Sequence, residues 1–209
     1  MRLGLCAAAL AGTAATMSDA SAAVVSFSTP ISVPNTFDGV YINLLTGASA
    51  GLGSGVAGWD FNPYNSGTSL SFFWSGTPAS SSGGVAGATT GPYLDLAAGS
   101  NVSSASTFSA VTATAQTTAF QNVGTHTLGF RFFNEGTAAI NYGFMTLSTG
   151  GTTGFPLTVT GWSFENTGAA ITVSAVPEAS TGAMFAMGAL ALGALNLRKL
   201  RRQRRVLAA

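Results

Sequence analysis

The sequence is poor in the residues that most often carry chemistry. It has one cysteine and one histidine in 209 residues, and only 7% of its residues are charged. Cys6 lies in an N-terminal apolar run, so the chain beyond it holds no disulfide and no thiolate metal site. With His126 alone, a multi-histidine metal centre is excluded. No Asp-x-Asp-x-Asp-Gly loop offers a calcium site, and no serine is read as a nucleophile held in an elbow. Asp38, Asp60, Asp95, Glu135 and Glu165 are scattered, so a two-carboxylate glycosidase pair could arise only through the fold. No catalytic residue, cofactor site or metal site is therefore expected, and the chain reads as a non-enzyme. A helical period of useful length is also missing before Thr181, as is any repeat of fixed length.

What is present lies first at the ends. Met1-Arg2 is followed by an apolar run from Leu3 to Ala11 that weakens toward Met17. Ala20-Ser21-Ala22 then supplies the small-x-small pattern that signal peptidase accepts, which predicts a signal helix over residues 1–22 and cleavage after Ala22. At the other end, Thr181 to Leu197 contains no charge and makes a helix of roughly 25 Å, near the short end of what crosses a bilayer. Six of the eight Lys and Arg residues follow at once, as Arg198, Lys199, Arg201, Arg202, Arg204 and Arg205. By the positive-inside rule this cluster stays cytoplasmic and the preceding chain lies outside. A buried amphipathic helix is the competing reading, but the segment has no polar face to turn toward water. A nucleic-acid-binding tail is the other, and a basic block abutting an apolar stretch is better explained as a membrane stop.

Val176-Pro177-Glu178-Ala179-Ser180-Thr181, the apolar helix and the terminal Arg cluster together resemble the PEP-CTERM sorting signal. That family belongs to Gram-negative bacteria that make extracellular polysaccharide. The resemblance implies processing of the tail by a membrane protease of the exosortase type. Pro177 and Glu178 match the usual Pro-Glu-Pro, and Ala179 replaces the second proline. The implied partners are signal peptidase, the exosortase-type protease and, through residues 181–197, membrane lipid. Extracellular polysaccharide is a further candidate, and nucleic acid is not expected.

Residues 23–176 are enough for one domain with its own core. Five carboxylates against Arg131 give this part a net charge of −4, which the basic tail hides in the chain-wide value of +1. Such a surface has little attraction for polyanions. Its solubility rests on Ser, Thr, Asn and Gly.

Alternation with a period of two predicts strands. Val40, Ile42 and Leu44 share a face, as do Ala57, Trp59 and Phe61, then Leu70, Phe72 and Trp74. Leu128, Phe130 and Phe132 alternate with Gly129 and Arg131, which sends Arg131 toward solvent. Tyr142 and Phe144 face one way, Met145 and Leu147 the other, so that strand is expected to be covered on both sides. Leu157 and Val159 are out of phase with Trp162 and Phe164. Keeping all four inside needs one extra residue near Thr160-Gly161, hence a bulge. Ile171 and Val173 form the last strand. Residues 80–92 read as a mobile Gly/Ser loop, residues 101–118 as further strands, and Asn62-Pro63 as a turn.

These strands predict an all-β, antiparallel, jelly-roll-like sandwich as the ectodomain, residues 23–176, between the leader and the sorting segment at residues 177–205. Gly129-Phe130-Arg131-Phe132, Asn141-Tyr142-Gly143-Phe144 and Gly161-Trp162-Ser163-Phe164-Glu165 resemble blocks that recur in PEP-CTERM ectodomains. That likeness implies a β-sandwich of unassigned activity. Trp59, Trp74 and Trp162 are the candidates for a sugar-stacking platform, with the core as the simpler place for strand tryptophans. The alternative functions are thus a carbohydrate-binding module or a permanently anchored periplasmic protein.

Overall fold

The computed structural model describes residues 23–87 and 91–174. The leader with Ala20 and Ala22, the motif Val176 to Ala179, the apolar segment 181–197 and the basic cluster 198–205 lie outside the described residues. Among the described residues, no helix is long and apolar enough to cross a membrane.

Among the described residues there are thirteen antiparallel strands. The first six are β1 (Val24–Phe27), β2 (Ile31–Val33), β3 (Tyr41–Ile42), β4 (Ser49–Ala50), β5 (Phe61–Asn65) and β6 (Leu70–Trp74). Three short ones follow: β7 (Gly84–Ala86), β8 (Asn101–Val102) and β9 (Phe108–Ser109). The long strands come last, as β10 (Gly124–Asn134), β11 (Ala139–Thr149) and β12 (Leu157–Glu165), before β13 (Ile171–Thr172). Among the described residues, helical structure is confined to two 3-10 turns, Gly53–Gly55 and Thr114–Phe120.

The larger sheet runs β1-β12-β11-β10-β7-β9, with β2 also paired to β12. The smaller runs β4-β3-β5-β6, and β8 pairs with β13 alone. One core joins the two larger sheets, with Ile42, Phe61, Leu70 and Phe72 packed among Leu128, Phe130, Met145, Leu147, Trp162 and Phe164. The other face of the larger sheet carries a second cluster of Val102, Phe144, Ile171 and Val173, with Leu96, Phe108 and Tyr142 against it. Strand β11 is covered on both sides, with Met145 and Leu147 in one cluster and Phe144 and Tyr142 in the other.

The phase change in β12 is a register shift. Thr146 pairs with Gly161 and Leu147 with Val159, so Thr160 has no partner across the strand. This bulge lets Leu157, Val159, Trp162 and Phe164 all point into the core. The same break divides the edge. Strand β1 pairs with β12 beyond the bulge and β2 before it.

Five expectations are corrected by tertiary contacts. Residues 57–60 are turn and irregular structure, with Gly58 at a φ of +62°, and the strand starts only at Phe61. Trp59 is left half-buried and Asp60 turns inward, because the Asp60 carboxylate accepts the Leu44 N–H at 2.8 Å. Asn62 and Pro63 lie inside β5, not in a turn. Pro63 has no N–H to offer the neighbouring chain, and the Asn62 amide donates to the carbonyls of Asp38 and Val40 at 2.8 and 3.0 Å.

Residues 80–92 are not simply a loop, since β7 is a buried strand between β10 and β9. Its glycine serves a packing need. A Cβ on Gly84 would stand 3.1 Å from the Ser109 carbonyl oxygen. In residues 101–118 only two-residue strands form, and the stretch ends in the 3-10 turn that buries Thr117 and Phe120. The fifth correction is Arg131, which is half-buried with its guanidinium carbon 4.9 Å from the Phe108 ring centroid.

Gly143 is a tight spot in the core. A Cβ there would fall 2.4 Å from Cζ of Phe130 and 2.6 Å from the Ser163 carbonyl oxygen. The Phe130 ring thus lies across a position with no side chain. Gly143→Ala is expected to cost about 3 kcal/mol of stability by overpacking, read as a lower urea midpoint with an unchanged slope.

Candidate functional site

Asn43 organises the surface around Trp59. It is buried just past β3, where its Oδ1 accepts the N–H groups of Leu45 and Thr46 at 2.9 and 2.8 Å. Its amide donates to the carbonyls of Ala57 and Gly58 at 2.9 and 2.8 Å. One side chain thus satisfies two turns that would otherwise leave four backbone groups unpaired. Trp59 emerges from the second turn. Its ring meets Tyr41 edge-on at 4.9 Å and Phe73 at 5.5 Å, and Phe73 is 42% exposed. The Glu135 carboxylate lies against the same turn, since a Cβ on Gly58 would stand 2.8 Å from its Oε1.

The three tryptophans therefore part company. Trp74 and Trp162 are 4% and 1% exposed and belong to the core. Only Trp59 offers ring surface, with Tyr41 and Phe73 as neighbours. Aromatic faces flanked by a carboxylate suit an apolar ligand face with polar edges. A separate cleft of about 430 Å³ opens beside Phe27, whose ring stacks on Trp162 at 4.7 Å. Its rim carries the hydroxyl residues Thr29, Thr46 and Ser49 and no charged group.

Gly47-Ala48-Ser49-Ala50-Gly51 does have Gly-x-Ser-x-Gly spacing, which the reading of the sequence passed over. Ser49 lies exposed in β4, an edge strand of a hairpin. No α-helix follows to make the strained strand-to-helix elbow that nucleophile chemistry requires.

The fold does bring His126 to an acid. Nδ1 of His126 is 2.7 Å from Oδ2 of Asp95, and Nε2 is 3.1 Å from the Asn122 carbonyl oxygen. Asp95 also accepts the Thr127 N–H at 2.8 Å. Both ring nitrogens meet acceptors, so neither is free to take a proton from a hydroxyl. The ring is 8% exposed and packs edge-on against Phe120, and this pair ties Asp95 to β10. The sequence separates the two residues by 31 positions, and only the isolated Asp95–Leu128 bridge beside β10 brings them together.

The Glu135 charge bears on the buried Asp60. Asp60 is 5% exposed, and burial pushes its carboxyl up to about 8; the Leu44 N–H opposes this and the Glu135 charge adds to it. Tyr93 is likewise pushed up to about 12 by burial, while its hydroxyl donates to the Val111 carbonyl. Asp60, Asn62 and Asn65 do not converge. Asn65 pairs with Asn35 and the Gly67 N–H, and Asn62 with backbone. Among the described residues no group of three His, Cys, Asp or Glu side chains is placed to hold a metal.

Comparison of the chain with protein-family models, with curated proteins and with solved structures gives no match.

Asp60 makes stability depend on pH. Its folded value of about 8 lies above the ordinary 3.8, so from about pH 4 to pH 8 the folded protein keeps a proton that the unfolded chain releases. Stability is then fully present below pH 4 and falls as pH rises through that window, by on the order of 6 kcal/mol at about 1.4 kcal/mol per unit. Asp60→Asn is expected to remove most of this slope and to be more stable than wild type above pH 8. Urea midpoints at pH 5 and pH 8.5 measure it, and equal slopes in the two proteins would exclude Asp60 as the source.

Proposed function

We propose that the chain is an exported, non-enzymatic surface or extracellular-matrix protein whose C-terminal segment is a PEP-CTERM-like sorting signal. The observation that carries this is the order of the tail. Pro177-Glu178 precedes an uncharged run from Thr181 to Leu197, and six Lys and Arg residues close it. A leader ending at Ala22 supports export independently. The leader is removed by signal peptidase, and residues 181–197 hold the chain in the inner membrane with the basic end in the cytoplasm. An exosortase-type protease then releases residues 23–176 to the surface or the medium as a jelly-roll-like β-sandwich. That portion fits an extracytoplasmic life, since it keeps no cysteine and draws its stability from burial and hydrogen bonding.

A second reading is favoured by one surface. Trp59, Tyr41 and Phe73 form the one tryptophan-centred patch left open after the core has taken Trp74 and Trp162. They support a carbohydrate-binding role toward extracellular polysaccharide. If Ala179 in place of proline blocks processing, the product is an anchored periplasmic protein.

Intact-mass measurement on membrane and medium fractions tests the main reading. The expected medium form starts at Ala23 and ends before the basic cluster. A full-length chain found soluble in the cytoplasm rejects export, and a full tail confined to membranes rejects processing. For the second reading, Trp59→Ala is expected to abolish retention on immobilised polysaccharide while leaving the fold intact. Unchanged retention removes that patch.

A further inference from the structure

Between residues 23 and 174 there is one Lys or Arg, and the fold does not pair it with an acid. Strand pairing sets a row across the outer face of the larger sheet. Arg131 stands opposite Gly84 on one side and Tyr142 on the other, and Tyr142 stands opposite Glu165. Gly84 contributes no side chain, so Phe108 from β9 leans over that gap, its Cβ 3.4 Å from where a Gly84 Cβ would be. The guanidinium carbon of Arg131 then sits 4.9 Å from the Phe108 ring centroid, and Phe108 and Tyr142 are 5.8 Å apart.

The Arg131 Nε is buried without a hydrogen-bond partner. The one ion pair among the described residues is His126 with Asp95, so no described carboxylate lies within 4.0 Å of Arg131. Glu165 is two strands away, roughly 10 Å at ordinary strand spacing. Its oxygens are taken by the N–H groups of Thr167 and Ala169 and by the Thr167 hydroxyl.

We infer that Arg131, Phe108 and Tyr142 form a binding site for a monoanionic carboxylate carried on a ring or apolar body. The guanidinium presents a planar fork of donors that matches two carboxylate oxygens. The Phe108 face holds that fork in place and, with Tyr142, offers apolar surface to the body of the ligand. A single charge is favoured over a phosphate dianion because this region carries a net charge of −4 and supplies one cation.

The test uses the full chain in detergent, titrated with sodium benzoate, benzamide and sodium sulfate at constant ionic strength. Arginine Nε resonances are followed by NMR, with the tail arginines as internal controls. Benzoate is expected to shift one Nε resonance that is missing from Arg131→Gln, at concentrations where the tail arginines do not respond. Benzamide should leave it unmoved, and sulfate should act only at higher concentration. Arg131→Lys keeps the charge and loses the fork, and is expected to weaken benzoate binding on the order of tenfold. Phe108→Leu leaves the cation and is expected to weaken it as well. Equal responses of Arg131 and the tail arginines, or unchanged benzoate affinity in Arg131→Lys and Phe108→Leu, would overturn the assignment.

Discussion

Trp162 is where the two main sheets are tied together. Its ring sits in the core on β12, and its indole N–H crosses the sandwich to the Leu44 carbonyl at 2.9 Å. The Leu44 N–H is in turn held by the Asp60 carboxyl, so the turn after β3 is gripped from both sides. That geometry exists only because the bulge at Thr160 turns Trp162 inward. Without the extra residue, Trp162 and Phe164 would face out while Leu157 and Val159 faced in. The Phe27 stack and the cleft beside it follow from the same placement.

A chain with no disulfide and little charge must satisfy its buried polar groups locally. Asn43, Asn62 and Glu165 do this by serving turns and strand ends with two or more hydrogen bonds each. His126 and Asp95 do it as a pair. Each of these groups is committed to structure, which leaves few side chains for ligands. The exceptions are the open ring of Trp59, flanked by Glu135, and the unpaired guanidinium of Arg131. They lie on different elements, the turn before β5 and the outer face of β10.

The long strands were legible because their alternation is strict. Leu128-Phe130-Phe132 and Met145-Leu147 bury as the period of two requires, and the phase slip at Thr160-Gly161 announces its bulge. Short strands were not legible. Gly84-Val85-Ala86 looks like linker, yet it is buried because glycine permits the close approach of β9. Residues 57–60 misled for the opposite reason. Apolar residues at alternate positions suggested a strand, but an aspartate with a backbone donor waiting for it turned the phase around. Arg131 was read as facing solvent, and the cover over it was missed because Phe108, Leu96 and Val102 come from segments without period.

By itself the sequence determined the all-β character, the two-sided burial of β11, the bulge in β12 and the want of disulfides. It also wrote the three-part tail on which the proposed destination rests, since charge and hydropathy are local properties. Tertiary structure alone decided that Asp60 is buried, that Asp95 meets His126, that Trp59 stays open and that Arg131 meets no acid among the described residues. Each of these depends on which distant segments meet across a sheet. Pairing between residues tens of positions apart is set by the packing of the whole core, and no local pattern encodes it.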